Sequence, residues 1–244
     1  LYFVGNMGQD RLYLNKGGWS FLDITRESNI INEDNWTFGV SVADVNSDGL
    51  KDIYLVNVAA LSQGQGNLLY INQGSDEEGI PVFKESASEY GLDVSGYGTH
   101  AFFFDKDGDN DLDLYLLQHS IHPNRSYGNG KLRERVSVEF GDKLFENNDG
   151  KFEEVTTSSG IYQGSIGYGL DASFGDIDGD GLTDIYIGND FFENDYLYLN
   201  SAEEGFLDVN ARAVDQLGHT THFSMGNTLN DLNNDGLLDI ISLD

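Results

Sequence analysis

Short apolar runs recur along the chain between acidic, glycine-rich turns, and none extends into the i, i+3, i+4 spacing of a helix. The runs come in a fixed order. A strand-like stretch at 38–43, 101–104, 170–174 and 225–229 leads into an acidic turn, and a β-branched or aromatic run at 53–56, 114–117, 185–188 and 240–243 leads out of it. Next comes a shared phrase: Arg11-Leu-Tyr-Leu-Asn15, Leu68-Leu-Tyr-Ile-Asn72, Lys143-Leu-Phe-Glu-Asn147 and Tyr196-Leu-Tyr-Leu-Asn200. A turn and a short run starting at Phe21, Phe83, Phe152 or Phe206 complete the unit. Four short strands per unit are the content of one β-propeller blade, and each blade buries its faces only against its neighbours.

The first acidic residues of the turns, at 44, 105, 176 and 231, are 61, 71 and 55 residues apart, a period that marks an array of supersecondary units. The fold expected is all-β: a β-propeller arc of about four four-stranded blades with a calcium loop in each repeat, in one domain spanning 1–244. The repeat units are drawn at 1–52, 53–113, 114–184 and 185–244. Residues 1–6 read like the run 185–189 that leaves a turn, and the chain finishes on the same kind of run. It is therefore expected to be a segment of a larger propeller, with targeting signals outside it.

The turns carry the candidate chemistry. They offer Asp44, Asn46, Asp48, Leu50 and Asp52; Asp105, Asp107, Asp109, Asp111 and Asp113; Asp176, Asp178, Asp180, Leu182 and Asp184; and Asp231, Asn233, Asp235, Leu237 and Asp239. These are positions 1, 3, 5, 7 and 9 of a nine-residue loop. Calcium takes six to eight oxygens, which alternate positions of a tight loop can supply. Position 7 varies in chemistry, as suits a backbone carbonyl ligand, and position 6 is Gly49, Asn110, Gly181 or Gly236, the residue types that turn left-handed at least cost. Oxygen-only ligation argues against zinc and copper. An EF-hand would need a bidentate Glu at position 12, where this chain has Leu55, Leu116, Ile187 and Ser242, and a helix where it has a strand. About four structural calcium ions are the expected cofactor.

Composition adds to this picture. The 42 acidic residues against 13 basic give a formal charge of −29, which four calcium ions would reduce to −21; self-repulsion on that scale strains a compact fold. Nucleic acid and anionic membranes are not expected as partners, and no apolar run is long enough for a membrane helix. The chain has no cysteine, so metal loops take the place of disulfides, and millimolar calcium outside the cell would fill even weak sites. An extracytoplasmic location is expected.

The Asp-x-[Asp/Asn]-x-Asp-Gly-x-x-Asp loop, its leading Phe38-Gly39 or Tyr168-Gly169 and the trailing Leu-Tyr-x-Asn phrase resemble FG-GAP/VCBS repeats over the whole chain. Three further stretches, 119–124, 188–196 and 219–226, resemble the large VCBS-repeat proteins of Bacteroidota related to cartilage acidic protein, which carry an ASPIC-type domain. That resemblance implies an exported or outer-membrane-associated parent, encoded near nutrient-uptake systems. It carries the calcium assignment over residue by residue, with Asn46 and Asn233 in place of Asp and Asn110 in place of Gly.

The remaining features are modest. The connection 119–142 is the longest and gathers Arg125, Lys131, Arg133 and Arg135, either as a partner-binding loop or as a patch paired with acidic neighbours. His119 with His122, and His219 with His222, lack a matching third zinc ligand. Trp19, Trp36 and Tyr97 are candidates for stacking on a sugar or for blade core. No nucleophile elbow, cysteine nucleophile or phosphate-binding loop occurs, and a non-enzymatic scaffold presenting loops to a protein or glycan ligand, in association with an outer-membrane uptake assembly, is expected. A secreted enzyme acting on glycans or phosphoesters, and a structural subunit of an outer-membrane assembly, are the alternatives.

Overall fold

The computed structural model describes residues 1–6, 8–32, 35–58, 65–121, 132–133, 135–191, 193–203, 205–208 and 217–244. Described residues form five antiparallel meanders. The first holds β1 (Tyr2–Phe3), β2 (Arg11–Gly17) and β3 (Ser20–Asp23). The second holds β4 (Thr37–Ala43), β5 (Asp52–Asn57), β6 (Leu68–Ser75) and β7 (Pro81–Glu85), and is followed by the single-turn helix α1 (Ala87–Tyr90). The third holds β8 (Gly98–Phe104), β9 (Asp113–Gln118), β10 (Lys143–Asn148) and β11 (Lys151–Glu154). The fourth holds β12 (Gly169–Gly175), β13 (Asp184–Asn189), β14 (Tyr196–Leu199) and β15 (Leu207–Asp208), and the fifth β16 (Gly226–Asn230) and β17 (Asp239–Leu243). The all-β expectation holds; three sheets are four-stranded, flanked by one of three strands and one of two. Each complete sheet starts on the strand entering an acidic loop, whereas the sequence units were drawn from loop end to loop end, another phase of the same period.

The sheets stack face to face, which explains the unbroken apolar runs of the outgoing strands. Every residue of β5, β9 and β13 is buried. Alternate side chains of β9 point to opposite neighbours: Leu114 and Leu116 pack with Tyr54 and Val56 of the second sheet, and Tyr115 and Leu117 with Ile185 and Ile187 of the fourth. A strand covered on both faces needs no polar alternation.

The incoming strands form the other shared feature. β4 packs on β8, β8 on β12 and β12 on β16, joined by hydroxyls: Thr99 Oγ1 donates to the Gly169 carbonyl at 2.9 Å, and Ser41 and Ser173 reach Ala101 and Asn227 in the same manner. A bulge sits at the same place in three of them, between Thr37 and Gly39, Gly98 and His100, and Gly169 and Asp171. At Gly39 a Cβ would lie 2.5 Å from the Thr99 carbonyl, so the close approach of the second and third sheets requires glycine there.

The outgoing strand is held at its far end by a tyrosine that meets the residue just before the Leu-Tyr-x-Asn phrase. Tyr2 donates to Asp10 at 3.0 Å, Tyr115 to Asp142 at 2.8 Å and Tyr186 to Asp195 at 2.7 Å. In the second sheet Asn67 takes the carboxylate's place and donates to Tyr54 at 3.0 Å. The same residues also accept a main-chain N–H from the end of the outgoing strand, as in Gln118 to Asp142 and Asn57 to Asn67.

Burial lifts the Asp142 carboxyl to about 7, with the Gln118 amide and the Tyr115 hydroxyl opposing the rise. Because this lies above the value of the free side chain, the native state holds the proton more tightly between about pH 4 and 7. Stability contributed by the protonated form is therefore complete below about pH 4 and lost as pH rises through 7. Asp142→Asn, which copies Asn67, should leave stability at pH 5 nearly unchanged and raise it at pH 8 by on the order of 1 to 4 kcal/mol. Urea unfolding at the two pH values measures this; a variant destabilised at pH 8 would contradict it.

Candidate metal centres

The four acidic turns share one end of the sheet stack, because each joins the first two strands of an antiparallel meander. Their hydrogen bonding is closely related, the position 6 amide donating to position 1 in all four and a second amide coming from position 5 in the first and fourth loops and from position 4 in the second and third. The position 1 carboxylate accepts two loop amides: Asp48 and Gly49 to Asp44 at 3.0 and 2.8 Å, Gly108 and Asn110 to Asp105 at 2.7 and 3.1 Å, Gly179 and Gly181 to Asp176 at 2.7 and 3.0 Å, and Asp235 and Gly236 to Asp231 at 3.1 and 2.8 Å. Position 5 accepts the position 7 amide at 2.8 to 2.9 Å in every loop.

Carboxylate oxygens of positions 1, 3 and 5 converge as a result. In the second loop those of Asp105, Asp107 and Asp109 lie within 4.8 Å of one another, as do those of Asp176, Asp178 and Asp180 in the third. Either group could hold a metal ion, and an all-oxygen donor set suits a hard cation. The first and fourth loops replace position 3 by an amide, and there Asn46 and Asn233 each donate to the position 5 carboxylate at 3.0 Å. Leu50, Leu182 and Leu237 occupy position 7 with side chains that cannot ligate. Asp111 occupies it in the second loop, with one carboxylate oxygen buried and without a hydrogen-bond partner.

Position 9 behaves differently from the other four. Asp52, Asp113 and Asp184 are buried and span two strands: one oxygen accepts the position 2 amide of the loop and the other accepts the asparagine amide of the Leu-Tyr-x-Asn strand. The pairs are Val45 and Asn72 on Asp52 at 3.0 and 2.8 Å, Lys106 and Asn147 on Asp113 at 2.9 and 2.9 Å, and Ile177 and Asn200 on Asp184 at 2.7 and 2.8 Å. Asp239 accepts Leu232 at 3.0 Å. The position 9 residue therefore closes the loop and ties it to the third strand, and it lies outside the converged groups.

The second loop is the most strongly charged. Burial raises Asp113 to about 6, and burial with the charges of Asp109 and Asp107 raises Asp111 to about 6; burial also raises Asp52 and Asp184. Lys106 answers part of this charge, donating to Asp107 and Glu146 at 3.0 Å each. Carboxylates this short of positive charge bind a proton or a cation more readily than isolated ones.

Backbone geometry accounts for the loop's small residues. Position 6 has positive φ in all four copies, at 86°, 72°, 91° and 87° for Gly49, Asn110, Gly181 and Gly236. Position 4 is left-handed too, at 58°, 79°, 80° and 61° for Ser47, Gly108, Gly179 and Asn234. Sequence reading missed position 4; its signal was the restriction to Ser, Gly and Asn. The tyrosine contacts of Asp10, Asp142 and Asp195 were missed as well, although an Asp or Asn precedes every Leu-Tyr-x-Asn phrase.

Other candidates are placed less tightly. His219 and His222 join no metal-ligand group among the described residues, and His122, Arg125 and Lys131 lie outside those residues. Arg133 pairs with buried Glu193 at 3.1 Å, the acidic-neighbour reading of that patch. Trp19 is 95% exposed and so is not core, whereas Tyr97 packs on Phe140 at 5.1 Å.

The FG-GAP-like repeat pattern matches residues 1–55 and 176–242, half of the chain. The stretch between them holds the loop in which Gly and Asn exchange positions 4 and 6 and the long 119–142 connection. No curated protein matches the chain.

Gly181→Ala meets open space, so its cost is conformational: about 1 to 2 kcal/mol for an L residue held left-handed. Asn110→Gly relieves the corresponding cost and should be neutral to slightly stabilising. Urea midpoints at fixed calcium check both, and a neutral Gly181→Ala would refute the left-handed assignment.

Proposed function

Since the chain belongs to the FG-GAP-like repeat family, we propose that it is a non-catalytic β-propeller scaffold, stabilised by calcium and working outside the cytoplasm. The observation that carries this reading is the fourfold recurrence of one loop between the first two strands of a sheet, with the position 6 amide on the position 1 carboxylate and the position 7 amide on position 5 in every copy. Calcium is the ion preferred: the donors are all oxygen, position 7 supplies a carbonyl, and the loops lie at the surface. Asp44, Asn46, Asp48 and the Leu50 carbonyl, with their counterparts in the other three loops, would hold it. Position 9 would orient the loop and add its remaining lone pairs.

The ion's work would be structural. It replaces repulsion among three to five carboxylates by coordination, so binding free energy becomes folding free energy. The four repeat units 1–52, 53–113, 114–184 and 185–244 would form an arc of blades of a larger propeller, in a protein of the Bacteroidota VCBS type with an ASPIC-type domain, secreted or associated with the outer membrane. Among the described residues no helix is long and apolar enough to cross a membrane. Long connections gather at the end opposite the acidic loops, which is where a protein or glycan ligand would meet the scaffold.

The melting temperature with and without calcium tests this. At free calcium about 100 times the dissociation constant each site adds about 2.7 kcal/mol, so a chelator should lower the melting temperature by about 10 °C or more. An unchanged melt would remove the structural-calcium reading. Asp176→Asn combined with Asp180→Asn should reduce the number of bound calcium ions by one in equilibrium dialysis; an unchanged number would take the third loop out of the metal set.

A further inference from the structure

The four acidic loops share a hydrogen-bonding frame but not a set of side chains, and the second departs from the rest at position 7. Asp111 stands there, where the other three carry Leu50, Leu182 and Leu237. It is half-buried, and one of its carboxylate oxygens is shielded from solvent without a hydrogen-bond partner. Among the described residues no other carboxylate oxygen is in that state. A carboxylate oxygen withdrawn from water and given no donor is destabilising, and a bound ion is one of the few groups that satisfies it.

That oxygen belongs to the metal centre rather than to the sheet. Burial and the charges of Asp109, Asp107 and Asp105 act together on the Asp111 carboxyl, so it faces the three residues whose carboxylate oxygens already lie within 4.8 Å of one another. The Asp111 amide donates to Asp109 at 2.9 Å and holds position 7 against position 5. Lys106 donates to Asp107 and Glu146 at 3.0 Å each and not to Asp111.

The other loops offer less. In the third, Asp176, Asp178 and Asp180 converge, but position 7 is Leu182 and supplies a backbone carbonyl alone. In the first and fourth, Asn46 and Asn233 stand at position 3 and donate to the position 5 carboxylate. Over positions 1, 3, 5 and 7 the second loop therefore presents four carboxylates, the third presents three, and the first and fourth present two each. Calcium affinity in loops of alternating oxygen ligands varies over several decades with the number of charged ligands and the rigidity of the site.

We propose that the second loop is the high-affinity calcium site of the chain, with the Asp111 side chain as a direct ligand, and that it fills before the other three. The proposal rests on the calcium reading and ranks the sites within it. The ranking has a structural consequence. The Asn200 side-chain amide, on the fourth sheet, donates to the Lys106 carbonyl of this loop at 2.7 Å, so the junction of the third and fourth sheets is the first to respond to the ion.

The test withdraws calcium stepwise from the loaded full chain with a chromophoric chelator and follows the same steps by NMR. One ion should be held about tenfold or more tightly than the rest. The Asp111 carboxyl and Asn200 side-chain amide resonances should keep their loaded positions until that last ion leaves, after the carboxyls of Asp48, Asp180 and Asp235 have moved. Asp111→Leu, which copies the other loops, should remove the tight step and leave the total number of ions unchanged. Leu182→Asp, which copies Asp111 into the third loop, should add a second tight step. If Asp111→Leu does not fold, the resonances of the parent chain and Leu182→Asp decide the matter. Sites of equal affinity, a tight step that survives Asp111→Leu, an Asp111 carboxyl that moves with the weak sites, or a single tight step in Leu182→Asp would each overturn the ranking. Tighter binding by Asp111→Leu would do the same, because it would make Asp111 a repulsive neighbour of the ion and not a ligand. Equal sites with a calcium-dependent melt defeat the ranking alone, whereas a chain that takes up no calcium defeats the structural-calcium reading and the ranking with it.

Discussion

A buried carboxylate at the last position of the first three acidic loops is the contact on which the architecture turns. Asp113 receives the Lys106 amide through one oxygen and the Asn147 amide through the other, joining loop, second strand and third strand through two charge-assisted hydrogen bonds. Bonds of this kind contribute about 1.5 to 3 kcal/mol each, and Asp52 and Asp184 repeat the arrangement. At the far end of the same strand Tyr115 meets Asp142. Each outgoing strand is thereby fixed in register at both ends, and its apolar residues can serve two neighbouring sheets at once.

The cost of this arrangement is electrostatic. Each loop gathers three to five carboxylates, and the residues that make the turn, such as Gly49 and Ser47, are chosen for left-handed backbone rather than for charge. Among the described residues the second loop has a lysine, Lys106, paired with its carboxylates, whereas Lys51 of the first loop is exposed. A bound cation would answer that deficit, and the same residues that shape the sheets would then tie their stability to metal.

Much of this was legible in the sequence. The acidic register at 44, 105, 176 and 231 and the apolar runs on either side marked the strands, because hydrophobic period and turn chemistry are local. What escaped was non-local. Asp142 gives no sign, in its own neighbourhood, of a tyrosine 27 residues earlier, and Asp52 gives none of the Asn72 amide placed against it. The apolar hollow lined in part by Phe38, His119 and Leu170 was hidden for the same reason: these residues are far apart in the chain and meet only when three sheets stack. The shortened first and last sheets followed from tracing strands, not from counting loops.

The closing carboxylate holds the charged, repeated end of the stack together. Amide hydrogen exchange in calcium, comparing the parent chain with Asp113→Ala, tests that claim most directly. The account predicts that the Lys106 and Asn147 amides lose protection by about a hundredfold while the Asn72 amide, held by Asp52, keeps its own. Undiminished protection at Lys106 and Asn147 would contradict it.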